Sequence, residues 1–315
     1  MSEAGSTPRV LVFAYQDVGY VCLQELLCRG VRPVAVFTHA DAPGENIWFR
    51  SVADLAAAHD IAVHAPESVN TPDWTRRIQE LQPDLLLSFY YRDLIAAPIL
   101  DMPALGAYNL HGSLLPRYRG RAPVNWALVA GESQTGVTLH RMVARADAGE
   151  IVDQQPVAIG PADSIREVYD GVVGAARKVV ARRMDELLSG QVQSRPQDEA
   201  RATVVKGRRP GDGRIDWQRD ARTVFNLVRA VTHPYPGAFT EVQDRRFYIW
   251  WAEPMDETPA GAEPGEVTGT TPLCIACGRG SLRVRQWQWD NDRQRRADEG
   301  VDAGLRVGQR LGDSF

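Results

Sequence analysis

Asn109 and His111 stand two residues apart where the apolar run Gly106 to Leu110 gives way to Gly112. At strand spacing their side chains point to the same face. An amide beside an imidazole can hydrogen-bond the oxygen of a tetrahedral intermediate. The imidazole can also move a proton near neutral pH. Gly112 is expected to keep the space above both side chains open. A second stretch, Ala146-Asp147-Ala148-Gly149-Glu150, puts a carboxylate in a tight turn. Within reach of His111, that carboxylate favours the charged imidazolium. No serine or cysteine nucleophile is evident, so direct attack by a substrate amine fits better than a covalent enzyme intermediate. A lone Asn-x-His is commonly just a hydrogen-bonded histidine in a turn, and the stretch holding Arg117, Arg119 and Arg121 could be a solvated loop. The two stretches together are too specific for that reading.

The elements that must position these residues alternate. Apolar runs at Arg9 to Tyr15, Pro33 to Thr38, Ile61 to His64, Asp84 to Phe89 and Gly106 to Leu110 read as strands. Helical spacing separates them at Val18 to Arg29, Val52 to His59 and Asp73 to Leu81, the first ending at Gly30. Thr135 to Met142 and Ile151 to Ile159 read as further strands, and Ser164 to Leu188 as a long helix. This pattern predicts an α/β fold with a mostly parallel, Rossmann-like sheet covered on both faces. Ala14 to Gly19 lacks the GxGxxG of a nicotinamide enzyme. Ligands of such sheets bind outside the carboxyl ends of the strands. Beyond Gly213 the period shortens. Ile215-Asp216-Trp217, Ala238 to Val242, Arg246 to Trp251, Gly265 to Thr268, Leu273 to Ala276 and Ser281 to Trp287 read as strands, with one helix at Ala221 to Val231. They predict a small, OB-like β-barrel. The expected division is a disordered lead at 1–8, a catalytic domain at 9–189, a polar linker at 190–213 and the barrel at 214–315.

Composition bounds the function. The 315 residues are 44% hydrophobic and 24% charged, enough for two domains with their own cores. No apolar run approaches the roughly 20 residues of a membrane helix, and the start lacks a signal-peptide core, which together point to a cytoplasmic protein. Only Lys178 and Lys206 among the 36 basic residues are lysines, and the net charge of −4 argues against a large nucleic-acid surface. Cys274 and Cys277 form a lone CxxC without the further ligands of a zinc site, and read with Cys22 and Cys28 as structural cysteines; no metal is expected.

Asn109 to Pro123 together with Asp147-Ala148-Gly149 resembles the 10-formyltetrahydrofolate-dependent formyltransferases, whose members act on methionyl-tRNA, glycinamide ribonucleotide and sugar amines. The resemblance implies a catalytic set of Asn109, His111 and Asp147, with 10-formyltetrahydrofolate as the one-carbon donor. Phe37 to Glu45, Ser88 to Arg92 and Leu139 to Val143 are similar to the formyltransferase part of the bifunctional UDP-4-amino-4-deoxy-L-arabinose enzymes. The similarity runs from about Arg9 to past Cys277 and weakens from Trp287 on. It implies folate contacts at Asp93, Leu94, Ile95, Arg121, Val143, Ala144, Arg145 and Ala146. At position 93 the sequence departs from a member of the family that has a histidine there, so a contact through its backbone is expected here. Arg208 matches a family arginine near the active-site cleft. It is expected, with Arg117 and Arg119, to grip a diphosphate, because fork-shaped guanidiniums match phosphate oxygens. Tyr90 and Tyr91 are expected on the uridine or sugar.

The expected partners are therefore a reduced folate and a UDP-amino sugar, with no nucleic acid or membrane. The implied role is aminoarabinose modification of lipid A in lipopolysaccharide, hence resistance to cationic peptides such as polymyxin. A methionyl-tRNA formyltransferase should carry a lysine-rich loop after the second strand. Here His39 to Ser51 holds Asp41, Glu45 and Arg50 without a lysine. A non-catalytic folate- or nucleotide-binding module would not need all three of Asn109, His111 and Asp147. A formylfolate hydrolase would release formate instead.

Overall fold

A computed structural model describes residues 7–42, 44–299 and 302–312. The lead expected at 1–8 lies mostly outside the described residues. The chain forms two compact units. One takes the chain up to Pro123 with Gln134–Ala158 and Tyr169–Lys206; the other takes Val124–Ser133, Ile159–Val168 and the chain from Gly207 on.

In the first unit the apolar runs become β1 (Val10–Ala14), β2 (Ala35–Phe37), β3 (Val63–His64), β4 (Leu85–Phe89) and β5 (Ala107–His111). Between them lie α1 (Gln16–Cys28), α2 (Val52–Ala57), α3 (Pro72–Glu80) and α4 (Ala97–Leu100). Helix starts follow local chemistry: the side chain of Ser51 accepts from the Asp54 N–H, and that of Thr71 from the Trp74 N–H just ahead of Pro72. Gly30 stops α1 with φ +75°, a conformation glycine adopts without steric cost. Next along the chain come β6 (Arg119–Gly120), α5 (Pro123–Val129), which after Pro123 belongs to the second unit, β7 (Gln134–Arg141), β8 (Ile151–Ala158), α6 (Ile165–Ser189), which belongs to the first unit from Tyr169 on, and β9 (Val204–Val205).

The main sheet has seven strands in the order β3-β2-β1-β4-β5-β7-β8. β1 to β5 pair in parallel, and β7 and β8 are antiparallel. Every residue of β1 and β4 is buried, as a strand covered on both faces requires. Leu11, Phe13, Phe37, Leu86 and Ile99 share one core, with the Phe13 and Phe37 rings stacked 4.8 Å apart. The strand order reverses between β1 and β4, so the carboxyl ends of β4 and β5 border the position where such sheets bind ligands.

The stretch 190–213 differs from the linker expected of its polar composition. Arg195 and Ile151 exchange both main-chain hydrogen bonds, and β9 pairs in parallel with β6. Its polar side chains serve as hydrogen-bonding groups toward the first unit, which extends to Lys206.

In the second unit, α7 (Ala221–Val231) is followed by β10 (Ala238–Val242), β11 (Arg245–Met255), β12 (Val267–Thr270), β13 (Leu273–Ala276), β14 (Ser281–Trp289) and β15 (Arg295–Arg296). The expected small barrel takes the form of a six-stranded antiparallel sheet, β10-β11-β14-β13-β12, with β15 on β14. Ile215-Asp216-Trp217 is not the expected strand: the Ile215 N–H donates to the Phe239 carbonyl at 2.8 Å, and the chain then enters a turn at Trp217. Asp216 Oδ1 accepts the Gln218 N–H, turning the chain, and Trp217 buries its indole with Nε1 donating to Thr240 Oγ1 at 3.1 Å. Cys277 is buried, and burial, then the charge of Asp220, pushes its thiol up to about 12. Among the described residues no helix is long and apolar enough to cross a membrane, and no group of three or more His, Cys, Asp or Glu could hold a metal ion.

Candidate active site

β5 ends at His111, and β7 runs antiparallel beside it with Asn109 opposite His140. Both histidines are nearly closed off, His111 at 7% exposure and His140 at 2%. His140 Nδ1 lies 2.9 Å from the Arg141 carbonyl. A carbonyl only accepts, so Nδ1 carries the proton, and in the neutral ring Nε2 presents its lone pair. Asn109 Nδ2 donates to that Nε2 at 3.2 Å. The contact fixes which end of the amide is the donor and leaves its second N–H for another acceptor.

Asp147 joins these groups from the turn after β7. Its Oδ1 lies 3.4 Å from His111 Nδ1 and 3.5 Å from His140 Nε2, while Oδ2 accepts the Gly120 N–H at 2.9 Å. Burial alone would raise its pKa. The charge of His111 and the Gly120 N–H, joined by the bond and charge of His140 once its ring is protonated at Nε2, outweigh burial and hold the carboxyl well below the usual carboxylate range. Asp147 is therefore ionised at neutral pH. It sits at φ +54°, a left-handed conformation that costs about 1–3 kcal/mol in a non-glycine residue unless neighbours fix it. His111 Nε2 faces the Tyr118 carbonyl at 2.8 Å, so it too is a donor, and an incoming oxygen must take that proton from Tyr118.

Asn109, His111 and Asp147 thus come together as expected, and they form a donor pair backed by a fixed negative charge. The space above Gly112 is not open. Tyr90, itself at φ +59°, lies across it, and a Cβ at Gly112 would stand 2.0 Å from the Tyr90 hydroxyl oxygen. Tyr90 is therefore beside the site. Tyr91 is not a stacking platform: it packs edge-on to Phe13 and stacks on His39 at 4.2 Å, and burial, then Asp93, pushes its phenol up to about 12.

The expected folate residues divide by exposure. Leu94 is 70% exposed and Val143 43% exposed, and Ala144, Arg145 and Ala146 are exposed between Val143 and Asp147. Ile95 belongs to the core, which leaves only its backbone for contact. The Asp93 carboxylate stands 4.0 Å from His39 Nδ1. Burial lowers the pKa of His39, Asp93 opposes that, and the charges of Arg92 and exposed Arg121 lower it further.

Of the arginines assigned to a diphosphate, Arg119 is misassigned. It is 1% exposed, and its guanidinium is taken up by Gln197 and Glu199. Arg117 is exposed, 5.3 Å over the Tyr118 ring. Arg208, in the second unit, lies 4.8 Å over Trp126 and donates to the Asp212 carbonyl at 2.7 Å; burial lowers its pKa. Sequence reading assigned no role to His140, although its signal was present: a polar residue inside a buried strand, at strand spacing from Thr138.

Residues 21–184 match the family model described as formyl transferase, and residues 208–301 match that of the formyl transferase C-terminal domain. Three solved structures share the fold. The N-formyltransferase from Helicobacter canadensis, in complex with folinic acid and dTDP-3-aminofucose, is 16% identical with a TM-score of 0.69, covering 88% of this chain and 99% of that one. HypX from Aquifex aeolicus, in complex with tetrahydrofolic acid, is 19% identical with a TM-score of 0.62, over 94% of this chain and 47% of that one. Methionyl-tRNA formyltransferase from Clostridium thermocellum is 16% identical with a TM-score of 0.54, over 78% and 92%.

Proposed function

Because the chain belongs to the formyl transferase family and is a folate-dependent formyltransferase, we propose that it carries the formyl group of 10-formyltetrahydrofolate to the primary amine of a nucleotide-linked amino sugar, specifically UDP-4-amino-4-deoxy-L-arabinose. The observation that carries this reading is the cluster of half-buried Asn109, buried His111 and half-buried, ionised Asp147 beside the carboxyl end of β5. The neutral amine attacks the formyl carbon, a C–N bond forms, and the carbonyl electron pair moves onto oxygen. Asn109 Nδ2–H and His111 Nε2–H hold that oxygen. Collapse of the adduct breaks the bond to the folate nitrogen, which leaves with a proton. Asp147 keeps His111 oriented as a donor. Loss of one such oxyanion donor costs about a hundredfold or more in turnover.

The loop after β2 favours a small acceptor over tRNA. Its one basic residue, Arg50, is bound to Asp17 at 2.6 Å and lies over the Tyr20 ring, while Glu45 pairs with Arg92. A tRNA grip needs cations free for phosphate. The folinic acid and dTDP-3-aminofucose in the Helicobacter canadensis complex support a folate and sugar-nucleotide pair. On this reading the protein works in the cytoplasm, in the aminoarabinose modification of lipid A that underlies polymyxin resistance.

An acceptor panel tests the proposal. The protein is incubated with 10-formyltetrahydrofolate and, separately, UDP-4-amino-4-deoxy-L-arabinose, a dTDP-3-amino sugar and methionyl-tRNA, and products are read by mass spectrometry. Formylation of the UDP sugar is expected. Formylation of the dTDP sugar alone would move the nucleotide assignment. Formylation of methionyl-tRNA with neither sugar would overturn the proposal.

A further inference from the structure

The Asp147 carboxylate acts only where it stands, and within its turn the Ala148 N–H donates to the Arg145 carbonyl at a long 3.3 Å. The φ of Asp147 is left-handed, and residues 143–146 ahead of it are exposed. Further support comes from far along the chain. Gln197 Nε2 donates to the main-chain oxygens of Asp147 at 2.8 Å and Gly149 at 2.6 Å. Gln197 Oε1 accepts from Arg119 Nη2 at 2.7 Å and Nε at 3.2 Å. Arg119, 1% exposed, also donates to both carboxylate oxygens of Glu199, at 3.0 Å and 2.6 Å. The next residue, Gly120, donates its N–H to Asp147 Oδ2. The circuit thus closes, from the Asp147 carboxylate through Gly120 and Arg119 to Gln197 and back to the Asp147 main chain.

Glutamine suits this position because one planar group must accept from a guanidinium on one side and donate to two carbonyls on the other. A carboxylate accepts but cannot donate, and a hydrocarbon does neither. The buried guanidinium aims the amide oxygen, so the amide nitrogen must face the turn. Gly149 tightens the same spot: a Cβ there would lie 1.8 Å from the Arg141 carbonyl oxygen, so the turn packs directly against the end of β7.

We propose that Gln197 is a positioning residue for formyl transfer: its amide, aimed by buried Arg119, clamps the Asp147 turn so that the carboxylate meets His111. This rests on the function proposed above. The clamp acts on turnover through Asp147 and touches neither substrate. Gln197→Glu keeps a partner for Arg119 but loses the donor to the turn, and Gln197→Met keeps the volume and loses both.

The test compares wild type, Gln197→Glu, Gln197→Met, Asp147→Asn and Gln197→Met/Asp147→Asn, with 10-formyltetrahydrofolate and UDP-4-amino-4-deoxy-L-arabinose. Each Gln197 variant should lose about ten- to a hundredfold in kcat, with KM for both substrates within about twofold. Added to Asp147→Asn, the Gln197 change should cost less than about threefold further, because both act through one carboxylate. Histidine-ring NMR of the free protein needs no acceptor: in Gln197→Met the His111 signals should move toward their Asp147→Asn positions. Wild-type kcat and unmoved ring signals in foldable Gln197 variants would overturn the clamp alone. Losses that multiply fully in the double variant would mark Gln197 as merely structural and also overturn it. Normal turnover by Asp147→Asn would overturn the functional reading and the clamp together.

Discussion

Replacing Asp147 by asparagine changes one atom and one charge, and the structure says which contact must fail. The carboxylate accepts the Gly120 N–H on Oδ2, and its Oδ1 faces His111 Nδ1 and His140 Nε2. Asparagine offers one acceptor and one NH2 group. If its oxygen serves Gly120, a donor faces His111; if it serves His111, a donor faces the Gly120 N–H. Either way a charge-assisted hydrogen bond worth about 1.5–3 kcal/mol is lost. At about 1.4 kcal/mol per decade, kcat should fall by about ten- to a hundredfold. The loss should be nearer the upper figure, because the charge that holds His111 goes with the bond. KM for 10-formyltetrahydrofolate should hardly move. Stability follows with a definite sign. The carboxyl is depressed in the folded state, so its contribution is fully present above its unfolded pKa and disappears as pH falls through the folded one. Urea denaturation should find Asp147→Asn less stable than wild type by a constant amount above about pH 4, with the gap narrowing in stronger acid. A variant with wild-type kcat, or a stability gap that widens in acid, would refute the reasoning.

His140→Ala removes the acceptor that aligns the Asn109 amide, a bond worth about 1 kcal/mol net, so kcat should fall several-fold with both KM values held; steady-state kinetics checks this. Gly149→Ala drives a Cβ into the Arg141 carbonyl oxygen, a backbone atom that cannot swing away, and should cost about 3 kcal/mol, at the upper end of overpacking, by urea denaturation. Alkylation with iodoacetamide at mildly alkaline pH should modify exposed Cys28 and spare buried Cys277, as peptide mass spectrometry would show.

Much of the fold was legible because its strongest signals are local. Val10–Ala14 and Leu85–Phe89 are uninterrupted apolar runs, and strands buried on both faces need little else. The pair Asn109 and His111 was legible for the same reason, since spacing along one strand fixes a shared face. What stayed hidden depends on pairing between distant segments. His140 meets Asn109 only through the register of β5 with β7. Arg119 looked like a surface cation, and it became a buried structural one because Gln197 and Glu199, some eighty residues on, fold back over it. The polar composition of 190–213 likewise reads as a linker until its partners are known. Ile215-Asp216-Trp217 had the residue types of a strand, and a local bond from Asp216 overrode them.

The central claim is that the Asn109, His111 and Asp147 cluster moves a formyl group from folate to a sugar amine. The most direct measurement follows an isotope-labelled formyl carbon by NMR in a single turnover, with UDP-4-amino-4-deoxy-L-arabinose as acceptor, in wild type and His111→Ala. The account predicts that the label passes into a sugar formamide in wild type. In His111→Ala it should remain on folate, with folate binding retained. Transfer at similar rates in both proteins, or label released only as formate, would contradict it.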